Sequence, residues 1–147
     1  MDEYEKYELE CRKRKEENHA FLIGFTRYLK NKKFAKRTID KHVRNIDFYI
    51  NDFLLYESPK KASEGVSQLD YFLGFWFIRK AMWASPDTIK ENIASLKHFY
   101  SYMNKIGQVT EKEVFNMEEE IKECKSHWIE TVKKYDDPDF DSEDIWG

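Results

Sequence analysis

Arg37, Lys41 and Arg44 follow one another at spacings of four and three, so a helix carrying them presents three cations on one stripe, opposite Ile39, Val43 and Ile46. Just upstream, Lys32, Lys33, Lys36 and Arg37 crowd the turn into that helix, where unpaired backbone N–H groups already favour an anion. The chemistry this suits is contact with phosphates. A lone Lys or Arg is most often part of a solvated face, but residues 21–44 hold eight Lys and Arg against one Asp, a local charge of +7. A second set follows on a later helix, where Lys90, Lys97 and Ser101 share a stripe with small Ala94. Asn92, Ser95 and His98 flank it as groups able to hydrogen-bond base edges. Thr38, Asn45 and Thr88 complete the candidate DNA-contacting residues.

Other constellations carry less. Cys124-x-x-His127 has a metal-like spacing, yet no second Cys/His pair accompanies it, and two unrelated helix positions explain it better. Asp137-x-Asp139-x-Asp141 has the spacing of a calcium loop, but its sixth position is Ser142 where such a loop needs Gly. Tyr71, Trp76, Phe77 and Trp83 are the residues from which a ligand pocket could be built, although aromatic stripes on a central helix are usually core. Neither a Gly-rich phosphate loop nor a Gly-x-Ser-x-Gly elbow is present, so no cofactor, metal or small-molecule substrate is expected.

These residues need elements to hold them. The chain has 147 residues, enough for one domain, and 16% aromatic content supplies too many large anchors for a disordered chain. Only five Gly and three Pro leave few turns, which excludes a many-stranded sandwich and favours long helices. Apolar spacing predicts a helix, or two abutting, over residues 2–31. Others follow over 36–57 (Ile39, Val43, Ile46, Ile50, Phe53, Leu54), over 68–82 (apolar nearly all round, hence central), from Ser85-Pro86 up to Gly107, and from about Thr110 to Tyr135. Residues 58–67 read as a polar loop. The expected organisation is a charged helical extension (1–20), a helical domain (21–109), a C-terminal helix (110–135) and a disordered acidic tail (136–147). Two distant cysteines, no signal peptide and no apolar run of bilayer length point to a cytoplasmic chain that does not enter a membrane.

The formal net charge of −3 argues against a globally basic nucleic-acid binder, but it conceals strong sorting. Residues 1–20 sum to −2, 21–44 to +7, 45–110 to zero and 111–147 to −8. An internal echo accompanies this sorting: a shift of 50 residues lays Thr38-Ile39, Val43, Ile46 and Tyr49 over Thr88-Ile89, Ile93, Leu96 and Phe99.

Phe21-Leu22, Phe25 and Tyr28-Leu29 leading to Thr38-Ile39, and then Ser85-Pro86-Asp87-Thr88-Ile89 through Leu96 to Met103 and Gly107, resemble the core-binding domain of tyrosine recombinases, the SAM-like helical domain of phage integrases. The likeness spans about residues 21–109. It implies an all-α, compact bundle of four to five helices whose second and fourth helices face double-stranded DNA. The family's chemistry lies in a separate catalytic domain, and here the His-x-x-Arg motif is absent, since His19, His42, His98 and His127 are followed three places later by Leu22, Asn45, Ser101 and Glu130. The expectation is a non-catalytic DNA-binding module linked to recombination, integration or mobile-element biology, partnered by DNA and by a recombinase or another protein, with an acidic tail competing for the basic face. Two alternatives stand beside it. One is a helical protein-interaction module docking through the Tyr-rich first helix or Trp128; the other is an excised fragment of a full-length recombinase, against which stands the reading of the chain as complete in itself.

Overall fold

Helix α1 (Glu3–Asn31) starts where the Asp2 carboxylate accepts the Glu5 amide at 2.8 Å, and Glu3 and Glu5 in its first turn against Lys30 in its last match the helix dipole. It is one continuous helix. The structure, a computed structural model, describes residues 1–136, and these form an all-α bundle with no strand among them. The expected tail, with its Asp137, Asp139 and Asp141, lies outside the described residues apart from Asp136.

Helix α2 (Lys36–Asp47) buries Ile39, His42 and Ile46 and runs on into a π-helical turn, Phe48–Phe53, in which the Leu54 N–H reaches back to the Tyr49 carbonyl at 3.0 Å. The first half of α1 lies along this turn. Asn18 Nδ2 donates to the Ile50 carbonyl (3.2 Å) and to Asn51 Oδ1 (2.8 Å), and the Tyr7 hydroxyl donates to the Leu55 carbonyl at 2.5 Å. The 1–20 extension is thus held to the bundle by side chain to main chain bonds.

The stretch 58–67, expected as a polar loop, contains a 3₁₀ helix over Ala62–Ser67 that buries Ala62, Gly65 and Val66. Two core tyrosines hold it down, Tyr49 donating to the Gly65 carbonyl at 2.6 Å and Tyr100 to the Ala62 carbonyl at 2.8 Å. Gly65 is required by space: a Cβ there would stand 2.3 Å from the Tyr100 hydroxyl and 2.8 Å from both Leu54 and Tyr49.

The central helix comprises α3 (Leu69–Tyr71), a second π-helical turn (Phe72–Trp76) and α4 (Phe77–Lys80). Its aromatics meet those of the first π turn, with Phe72 4.8 Å from Tyr49 and 4.9 Å from Phe53 between ring centroids. Trp76 and Phe77 belong to this core, whereas Tyr71 and Trp83 are exposed, so the four do not enclose a pocket.

Helix α5 (Pro86–Lys105) begins at a capping box, the Thr88 amide donating to Ser85 Oγ (3.1 Å) and the Ser85 amide to Thr88 Oγ1 (2.8 Å), with Pro86 at the first position. It ends at Gly107, whose φ of +80° allows the Gln108 and Gly107 amides to close on the Met103 and Asn104 carbonyls. Helix α6 (Glu111–Tyr135) begins in a second capping box, Thr110 with Glu113. Trp128 on α6 is wholly buried and donates to Asp70 at 2.7 Å, which removes it as a docking residue: the bond to Asp70 and the close fit of its ring over Gly74 keep it inside. Among the described residues, no helix is long and apolar enough to cross a membrane.

Candidate nucleic-acid interface

The α1–α2 turn closes as a Schellman motif, with the Phe34 amide donating to the Leu29 carbonyl (3.3 Å) and the Lys33 amide to that of Lys30 (2.9 Å). Lys33 takes the left-handed position at φ +68°, the conformation glycine supplies at residue 107. Helix α2 then starts after Ala35 with no side-chain cap and no acidic residue in its first turn. Its leading N–H groups therefore lie beside Lys36 and Arg37 with no carboxylate at the dipole's positive end.

Along α2, Arg37 and Arg44 are exposed, and no carboxylate among the described residues comes within ion-pair distance of either. Lys36 is tied to Asp40 at 2.8 Å, which raises its pKa through that hydrogen bond and the adjacent charge. Lys41 leans across to α5, its Nζ 3.7 Å from Glu91, and so marks the seam where the two helices pack. On α5, Lys90, Lys97 and Ser101 are exposed around half-buried Ala94. The same stripe reaches Lys105, whose Nζ sits 5.6 Å from the Tyr28 ring centroid while Lys32 Nζ sits 5.1 Å from it. One ring thereby gathers the cations of the α1–α2 turn and of the α5 terminus. Lys105 and Tyr28 were not among the sequence candidates. The signal was available, since Lys105 stands four residues beyond Ser101 on the stripe.

Asn92 and Ser95, expected as donors toward base edges, are buried at 3% and 0% exposure. Ser95 is bonded to α2, and Asn92 turns back onto its own helix. Asn92 Nδ2 donates to the Thr88 carbonyl at 2.9 Å, and Ser95 Oγ donates to the Glu91 carbonyl at 3.1 Å. With its proton so placed, Ser95 Oγ accepts from Asn45 Nδ2 (3.0 Å) and from His42 Nδ1 (2.6 Å), which assigns the neutral His42 its proton on Nδ1. Asn45 also donates to Glu91 at 2.9 Å, Thr88 is engaged in the α5 cap and Thr38 is half-buried. His98 is half-buried too, its ring 5.1 Å from Phe34 and 5.2 Å from His42. Burial first, then His98 and Lys41, lower the His42 pKa; burial and then Lys32 lower that of His98. The candidates thus divide into an exposed cationic set and a polar seam that joins α2 to α5, with Thr38 and Thr88 in neither. Cys124 and His127, the metal-like pair, sit on α6 with Cys124 half-buried and His127 exposed.

Comparison of the chain with family models, with curated proteins and with solved structures found no match.

Proposed function

We propose that the protein is a non-catalytic module that binds double-stranded DNA through the α2 and α5 faces, in recombination or mobile-element biology as the resemblance to core-binding domains implies. The observation that carries the reading is the cationic band itself. Lys32, Lys33, Arg37, Arg44, Lys90, Lys97 and Lys105 border one pair of packed helices and the turn beside them, and none has a carboxylate within 4.0 Å among the described residues. An unspent band of this kind costs stability through self-repulsion and is useful against a polyanion. The chain's net charge of −3 keeps background association low.

The test is a mobility shift on duplex DNA at two salt concentrations, comparing wild type with Arg37→Glu/Arg44→Glu/Lys97→Glu, all three exposed. Wild-type affinity should fall steeply with salt, and the slope of log K against log salt should shrink by about 0.9 for each phosphate contact removed. Equal, negligible binding by both proteins defeats the proposal.

A groove of about 900 Å³ between the first half of α1 and the α2 π turn, bordered by Tyr4, Tyr7, Cys11 and Tyr56, favours the protein-interaction module as second reading. That reading predicts the negligible DNA binding just described.

A further inference from the structure

Two hollows, of about 240 and 370 Å³, adjoin each other at the end of the central helix and share Tyr56, Glu57, Tyr71 and Trp76 in their walls. The larger is completed by Phe75, Arg79, Lys80 and Tyr135, so that two cations stand against the one carboxylate of Glu57. Lys80 Nζ lies 5.0 Å from the centroid of the Tyr56 ring and 3.2 Å from its hydroxyl, so the box pairs aromatic faces with a positive charge. Trp76 is only 6% exposed, yet its Nε1–H has no hydrogen-bond acceptor among the described residues. A buried indole donor without an acceptor costs roughly 1–3 kcal/mol, so the site calls for a ligand that brings one. Aromatic walls, a cation and a waiting donor together specify an aromatic group flanked by carboxylates.

The chain carries that ligand a few residues away. Tyr135, in the wall of the hollow, ends α6, and Asp136 caps it. The next eleven residues, 137–147, hold five Asp and Glu, no Lys or Arg, and Phe140 between Asp139 and Asp141. Phe140 stands four positions beyond Asp136, a reach of at most about 14 Å. So short a tether gives an effective concentration on the order of millimolar, enough to populate a contact that is weak between separate molecules.

We infer that the acidic segment after α6 docks in cis on this box, with the Phe140 ring among Tyr56, Tyr71, Phe75 and Tyr135, and with the Asp139 and Asp141 carboxylates serving Lys80 and the Trp76 Nε1–H. The segment then has a seat apart from the cationic α2–α5 face. This inference does not rest on DNA binding and holds or fails independently of it.

The test is ¹H–¹⁵N NMR of the full chain, comparing wild type with Phe140→Ala, Asp139→Asn/Asp141→Asn and Lys80→Glu. In wild type, the backbone amides of residues 139–142 should show heteronuclear NOEs close to those of α6. All three variants should lose that order and shift the Trp76 indole resonance, while the Trp128 indole, bonded to Asp70, stays in place. Phe140→Ala leaves every described residue unchanged, so it separates docking from a folding defect. Equally mobile amides in wild type and Phe140→Ala, or an unmoved Trp76 indole, overturn the inference. Order that vanishes on dilution shows the segment seated on a second copy and overturns docking in cis.

Discussion

Two corners of the molecule lead into helices that share one pattern, Thr38-Ile39 of α2 and Thr88-Ile89 of α5, and they are built on opposite terms. At the corner into α5, Ser85 and Thr88 cap each other, Pro86 fixes the first turn and Asp87 complements the dipole. At the corner into α2 there is no cap, no acidic residue, a lysine in a left-handed conformation and a crowd of like charges. Gly107 shows that the same helix closure as at Lys33 is made elsewhere in the chain with the inexpensive residue. A corner that forgoes several local stabilising devices at once, while keeping its cations exposed, is one where charge is the property being held.

Four experiments can break or sharpen this contrast. Ser95→Ala should have the largest effect, because it leaves His42 Nδ1–H and the Asn45 amide without their common acceptor in the seam joining the two helices. Chemical denaturation should show a loss of about 1–3 kcal/mol. Ser85→Ala should cost about 1 kcal/mol by removing a working cap, and Ala35→Ser should return a similar amount at the uncapped corner. If both substitutions are silent in thermal melts, the corners do not differ as described.

Lys33→Gly should stabilise the fold by about 1 kcal/mol by relieving the left-handed conformation, and it should weaken DNA binding at the same time. A variant that is more stable and binds equally well would show that the lysine serves no phosphate. The gentlest effect is with pH. His42 and His98 hold protons less readily in the fold than in the unfolded chain, chiefly through burial, so the unfolded state takes up more protons as acid is added. Stability should therefore be complete above pH of about 6.5 and decline as pH falls from there through the lowered folded values. Burial raises the carboxyls of Asp52 and Glu120 and acts with the opposite sign, nearer the ordinary carboxylate range. Thermal melts between pH 7 and 5.5 measure the slope, and His98→Gln should flatten it.

The same contrast explains what the sequence could convey. The starts at Ser85 and Thr110 and the stop at Gly107 were legible because a cap or a left-handed closure is chemistry among residues three or four apart. Both π turns escaped, since the apolar residues around them, Ile46, Ile50 and Phe53 in one and Leu69, Phe72 and Trp76 in the other, stand three and four apart as in an unbroken α-helix. The segment over Ala62–Ser67 escaped because its burial depends on hydroxyls delivered by Tyr49 and Tyr100 from distant positions. At the candidate interface, the exposed cations could be placed by helical spacing alone. Ser95 could not, because a polar residue beside a stripe faces solvent or a partner helix according to what that partner offers, and here it offers His42 and Asn45, while Asn92 is buried against the Thr88 carbonyl of its own helix.

The π turn at Phe48–Phe53 has a consequence for how α2 tolerates change. A π turn is an ordinary helix with one residue to spare, and residue count, more than residue identity, sets the angular phase of everything beyond it. Removing a single residue within the turn would let the helix close as α with its flanks nearly in phase, keeping Phe53 and Leu54 on the core and Arg37 to Arg44 in place, whereas a deletion within α2 itself would rotate its two sides against each other by about 100°. The turn thus absorbs length changes between α2, whose exposed stripe carries the cations, and a following stretch whose orientation is fixed by the rings it must meet.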